Sequence, residues 1–201
     1  MNTFLLPLLV LGALFQTPVG HPRPSAPVAP AAQAPAAKPA PVPLIAWSAT
    51  RRLTMADFQG RASVGNPLAS STSSNIKADA ACKDYVFSST VEATFDPATS
   101  WFRHPQTASE ALLRHEQLHF DITEVYARIM RQKLISFAAR ANCEKLQPAF
   151  NNVTKLVYSE WDREQNRYDQ ETNHGLNAVR QAYWEKQTAT KLEQLKAFAQ
   201  Q

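Results

Sequence analysis

The chain has 201 residues, a formal net charge of +4 and 44% hydrophobic residues, which suits one domain with accessory segments rather than two full domains. Residues 1–43 hold Arg23 and Lys38 and no acid, so the rest of the chain carries 19 basic against 17 acidic side chains. No block of like charge stands out, which excludes the electrostatic footprint of a nucleic-acid binder.

Phe4 to Phe15 reads FLLPLLVLGALF, an apolar run of signal-peptide length that is too short to cross a bilayer. It predicts export, cleavage near residue 20 and no membrane span in the mature protein; an uncleaved N-terminal anchor is the alternative. Residues 21–43, HPRPSAPVAPAAQAPAAKPAPVP, are dominated by Pro and Ala. Such a segment buries no core and predicts a semi-rigid spacer. The domain proper is expected over 44–201. Its two cysteines, Cys82 and Cys143, belong to no close C-x-x-C pair. In an exported chain they predict a disulfide rather than zinc ligation.

Trp47 to Gly60 combines anchoring aromatics with a polar loop, and Asp57 is expected in a local turn. Residues 65–75, GNPLASSTSSN, are turn formers and predict a loop. From Tyr85 to Phe95 the pattern alternates, with Phe87, Val91, Ala93 and Phe95 on one side and Ser88, Thr90, Glu92 and Thr94 on the other. That is a strand with one buried face, its edge offering a place for an extended substrate. A weaker strand over about Ser73–Ala80 is expected to pair with it.

Thr107-Ala-Ser-Glu110 fits a capping box, with Thr107 as N-cap. The helix it opens runs to about Ala141 without Gly or Pro. A second helix is predicted from Pro148 to Glu171, a break at Asn173-His174-Gly175, and a third helix from Leu176 to Phe198. The fold class is therefore α+β: a small β element followed by three helices.

The first long helix carries RHEQLHFDIT. His115 and His119 are four residues apart, about 40° around the axis and one turn along it. Two imidazoles so placed can hold one zinc ion, and Glu116 on the neighbouring face can act as general base toward a water on that ion. The plain alternative, two core histidines without metal, would need partners for both rings. A catalytic zinc usually takes three protein ligands. Asp121 and Glu124 are badly aimed for the same ion, so Asp121 is expected to stand behind the histidines or face solvent. Spacing leaves two candidates for the third ligand. One is His174 at the helix break; the other is Glu164, on the apolar line of the second helix.

These motifs carry a family resemblance. The Trp47–Gly60 opening (W-S-x-x-R-x-L-T-x-x-D-F-x-G, with Met55 where Trp is common), Ser100-Trp101, HEQLHFDITE, and YDQETNHG followed by Gln181 and Trp184 resemble a bacterial domain of unknown function described as a secreted zinc-dependent protease. The resemblance covers nearly all of 47–190. It implies a zincin-like fold, Zn2+ as cofactor, and His115, Glu116 and His119 as the zinc and catalytic set, and it favours His174 as third ligand. Within the YDxxTxHG signature, the Tyr168 hydroxyl can stabilise an oxyanion, and Asp169 can accept a proton from a ligand histidine.

The expectation is a monomeric, secreted or periplasmic zinc metallopeptidase. It would hydrolyse peptide or related amide bonds with a zinc-activated water and Glu116 as base. The alternative is a non-catalytic periplasmic interaction module stabilised by its metal.

Overall fold

Residues 41–200 are described by the structure, a computed structural model. The expected signal peptide and nearly all of the spacer lie outside the described residues. The domain is α+β, with two small antiparallel sheets and three helices. The first sheet has the order β1-β4-β3, with β1 Ile45–Ala46, β3 Ser74–Lys83 and β4 Val86–Phe95. The second joins β2, Ser70–Ser71, to β5, Trp101–Phe102.

The alternation in β4 behaves as its sequence dictates. Val91, Ala93 and Phe95 are buried, while Ser88 and Thr90 are exposed. Thr94 departs from the pattern at the one end of β4 that is paired on both sides, by Ala46 and by Asn75. β4 begins one residue later than the alternation suggests. Asp84 and Tyr85 form the hairpin turn with φ of 50° and 62°, and a two-residue turn of this kind needs positive φ at both central positions. β1 pairs with β4 only at Thr94 and Phe95; the strand that lines the cleft beside His115 is β2, and the expected β4 edge is not part of that lining.

The opening segment is fastened by the residues its motif names. Leu53 and Phe58 are buried, and Phe58 packs on Phe95 and Phe102 with ring centroids 5.0 and 4.4 Å away. Gly60 donates to the Ser100 carbonyl at 2.8 Å. A Cβ there would sit 2.8 Å from the carbonyl oxygens of Ala98 and Ser100, so no other residue fits.

Helix α1, Glu110–Ala138, is the central element. It packs on β3 and β4 and also on α2, Leu146–Thr172, and α3, Ala178–Gln194. From His115 to Arg128 every residue but His119 is buried, so this helix has no solvent face over that length. Its polar residues are consequently paired, apart from one carboxylate oxygen of Glu116. Glu124 accepts from Arg128 Nε at 2.8 Å and from Arg131 Nη1 at 3.0 Å. The same arginines reach the carbonyls of Leu192, Val91 and Phe198. This cluster ties α1 to β4 and to the C-terminal turn. Removing one member of such a buried network typically costs about 3–5 kcal/mol, because a charge is left unpaired.

Cys82 at the end of β3 and Cys143 in the turn between α1 and α2 form a disulfide, with Cα atoms 5.8 Å apart and a sequence separation of 61. In the chain-entropy picture that loop contributes about 4 kcal/mol. Replacing both cysteines by serine should lower Tm by roughly 10 °C while leaving the His115–His119 region intact. Calorimetry of the double variant, with zinc content measured alongside, checks this; an unchanged Tm would show that the cross-link stabilises nothing.

Candidate active site

The helix that carries HEQLH starts two residues later than the capping-box reading. Ser109 is the N-cap, its hydroxyl accepting from the Leu112 amide at 3.1 Å, and Glu110 occupies the first turn, where it complements the helix dipole. The motif thus begins in the second turn. His115 and His119 lie one turn apart with ring centroids 4.9 Å from each other.

The last turn of α2 brings Asp169 against them. Its Oδ1 is 3.2 Å from His115 Nε2 and 3.0 Å from His119 Nε2. Beyond it the chain leaves the helix through three residues of positive φ, Asn173 (49°), His174 (52°) and Gly175 (80°). Thr172, fully buried, bonds the Tyr168 carbonyl and accepts from the Gly175 amide. Gly175 is required twice over: for its φ, and because a Cβ there would meet His115 Cβ and Cγ at 3.0 Å. The turn packs directly against the first histidine.

The tautomers follow from two glutamines. Gln165 Nε2 donates to the His119 carbonyl and to Thr123 Oγ1, so its Oε1 is left to accept from His119 Nδ1 at 2.7 Å. Gln181 Nε2 donates to Glu185, and its Oε1 accepts from the Tyr168 hydroxyl at 2.8 Å and faces His115 Nδ1 at 3.3 Å. With both Nδ1 protons so placed, each Nε2 presents a lone pair. Two lone pairs aimed at one carboxylate oxygen repel unless a positive charge intervenes. That charge is either a proton on the rings or a cation between them.

Metal coordination fits this donor set. Among the described residues, His115, His119 and Asp169 form a group whose ligand atoms all lie within 4.8 Å of one another. Donors around a tetrahedral zinc are separated by about 3.3 Å, close to the spacings from Asp169 to each histidine. Two imidazoles and one carboxylate are also a familiar set for a catalytic zinc.

Glu116 stands beside the group and is buried. Its Oε1 accepts from the Ser70 hydroxyl at 2.6 Å, and its backbone carbonyl accepts from Thr72 Oγ1 at 3.1 Å. Its Oε2 is a buried atom with no hydrogen-bond partner. The three donor residues, Glu116, His174 and the Leu68–Thr72 segment line one cleft of about 100 Å³. A wider, more apolar cleft of about 370 Å³ adjoins it across Leu68, Ala69 and Leu112, with His104 on its lining.

Other residues singled out by the sequence are placed as follows. His174 lies on the cleft wall, half exposed, with Nδ1 3.5 Å from Asp169 Oδ1, and it falls outside the three-residue donor group. Glu164 faces α3, bonded to Lys191 at 2.7 Å and Arg167 at 2.8 Å. Tyr168 is fully buried, stacked on His115, with its hydroxyl turned to Gln181 and the His115 carbonyl. Burial pushes its phenol far above the usual range, so it remains a donor behind His115, and it is not part of the cleft lining, where the expected oxyanion would form. Asp121 is neither behind the histidines nor in solvent. It accepts from Trp47 Nε1, Arg52 and Gln117, anchoring the opening segment to the far side of α1. Asp169 meets the Nε2 atoms of both histidines, not the second nitrogen of one of them as its place in the sequence suggests. Ser70, Gln165 and Gln181 were not assigned a role from sequence, because a serine in a turn-rich stretch and two amides carry no metal-ligand signal.

A family match covers residues 75–175, half of the chain, and is described as a bacterial protein of unknown function, DUF922. The chain belongs to this family. The matched span of this DUF922 protein runs from the start of β3 to Gly175, and so holds His115, Glu116, His119, Asp169 and His174. No curated protein and no solved structure matches the chain.

Burial works against charge on His119, but its bond to Asp169 and the negative charges of Glu116 and Asp169 outweigh this and raise its pKa. Burial likewise disfavours the Asp169 carboxylate, yet the two histidines hold its carboxyl well below the usual range. In metal-free protein the raised imidazole contributes stability below its ordinary value of 6.5 and loses it as pH rises through the folded pKa. The lowered carboxyl contributes above 3.8 and loses its share as pH falls. Protein in excess chelator should therefore have its highest Tm between those values and soften at alkaline pH. Added zinc should reverse the alkaline trend, since metal requires unprotonated imidazoles. Thermal melts across pH, with and without chelator, test both halves.

Proposed function

We propose that this protein is an exported zinc-dependent hydrolase of peptide or related amide bonds, with a zincin-like arrangement on α1. The observation that carries the proposal is the meeting of His115 Nε2, His119 Nε2 and Asp169 Oδ1 beside a buried carboxylate oxygen, Glu116 Oε2, that has no partner. A purely structural metal site needs no such base. Export is supported by the apolar N-terminal run, by the disulfide, and by the absence, among the described residues, of a helix long and apolar enough to cross a membrane. On this reading residues 1–20 are a signal peptide and 21–43 a spacer.

His115, His119 and Asp169 would hold the cation, with His174 at the cleft wall as an outer partner of Asp169. A bound zinc supplies Lewis acidity, polarising a substrate carbonyl and making a water acidic near neutral pH. The chain's own residues do the rest. Gln165 and Gln181 hold the two rings with Nε2 toward the cleft. Glu116 Oε2 receives the proton of the attacking water and passes it to the leaving amine. The neighbouring apolar cleft excludes water from one side of the substrate.

Glu116→Gln should keep zinc and lose at least about 100-fold in kcat. Elemental analysis and a fluorogenic peptide pool are the measurements, and a variant that turns over normally would sink the assignment of the base. The ligand set is tested separately. Asp169→Ala should weaken zinc by more than the roughly 10- to 100-fold typical of an outer partner, whereas His174→Ala should stay within it. Competition against a chromophoric chelator gives both affinities. The reverse order would make His174 the third ligand.

A further inference from the structure

The two oxygens of Glu116 are unlike. Oε1 takes a 2.6 Å hydrogen bond from Ser70, while Oε2 is buried with no donor at all. A buried carboxylate oxygen left without a partner is costly; with its flexible side chain, Glu116 would otherwise turn to exchange or share its partner. Something must fix which oxygen is spent and which is left free.

The Leu68–Thr72 segment is built to do this. β2 pairs with β5, Ser70 opposite Phe102. The Arg103 amide donates to the Ala69 carbonyl at 2.8 Å, and the Arg103 guanidinium donates to the carbonyls of Leu68 and Asn66. The segment grips Glu116 twice, at the side chain through Ser70 and at the backbone carbonyl through Thr72. Ser70 itself is buried, at 7% exposed, so solvent competes little for its hydroxyl.

We infer that Ser70 is the positioning residue of Glu116: its hydroxyl occupies Oε1 and leaves Oε2 as the single oxygen presented to His115, His119 and Asp169. The inference rests on the reading of Glu116 as the base. Ser70 touches neither donor atoms nor a reacting bond; it acts through Glu116. The hydroxyl is the working part, so threonine should replace serine and alanine should not.

The experiment uses the full-length, zinc-loaded protein with glutamate carboxyls labelled with carbon-13, as wild type, Ser70→Ala and Ser70→Thr. Glu116→Gln identifies the resonance. At one fixed pH, the Glu116 carboxyl signal should shift and broaden in Ser70→Ala and return to its wild-type position in Ser70→Thr, with zinc content unchanged; Tm should fall by a few degrees in Ser70→Ala, where Oε1 loses its partner, and recover in Ser70→Thr. On a peptide cleaved from a degenerate fluorogenic pool, Ser70→Ala should lower kcat about 10- to 100-fold with KM almost unaltered, and Ser70→Thr should restore it. An unmoved carboxyl signal in Ser70→Ala overturns the inference whatever the activity. So does loss of zinc together with loss of kcat in both variants, which would mark Ser70 as structural only. If the signal moves as expected and no peptide is cleaved even by wild type, the positioning role stands and the peptidase reading falls.

Discussion

His115 and His119 turn their Nε2 atoms toward one oxygen of Asp169, and this convergence of lone pairs is the constraint around which the domain is arranged. It is unfavourable unless positive charge sits among the three groups. Every element nearby serves to hold the groups together. α1 supplies the pair at one-turn spacing, and α2 supplies both the carboxylate and the amide behind His119. α3 supplies the amide behind His115, and β2 closes the remaining side through Glu116. The cost of keeping these polar groups buried is offset where α1 is paired, through Asp121, Glu124, Arg128 and Thr123, alongside the apolar residues it gives to the core, among them Phe120, Ile122 and Val125.

How much of this is legible in the residues themselves depends on how local the cause is. The β4 strand, the long helix and the break at Asn173–Gly175 follow from short-range pattern; β4 starts one residue later than expected, and the helix ends at Ala138, three residues before its expected end. The HEQLH geometry is local too, because i and i+4 on a helix must be neighbours. The helix is capped by Ser109 and not by Thr107, two hydroxyl residues equally able to cap; only the turn that closes on His104 decides between them. The place of Asp121 is set by Trp47, 74 residues earlier, which no local pattern carries. Helical phase alone cannot say which of Asp169, His174 or Glu164 faces α1 once α2 is docked, so Asp169 reads from sequence as a supporting residue. Ser70 belongs to a two-residue strand inside a run of turn formers, where no periodicity exists to be read.

The YDQETNHG segment gains a physical account residue by residue. Tyr168 fills the space behind His115 and braces it, and Asp169 meets both histidines. Thr172 ties the final helical turn to the amide of Gly175, and Asn173 and His174 accept the left-handed conformation that lets the chain reverse. Gly175 leaves room for the imidazole ring. The segment is thus less a row of chemical groups than a mould for His115, with one acid projecting from it.

The two amides behind the histidines have an electronic consequence. In many zinc sites a carboxylate stands behind a ligand imidazole and pushes electron density onto the ion. Here Gln165 and Gln181 orient the rings without adding charge. A divalent cation on two imidazoles and one carboxylate would retain one unit of positive charge, offset only by the Glu116 carboxylate beside it. Its pull on a carbonyl oxygen would be stronger than in a site with an acid behind each ring.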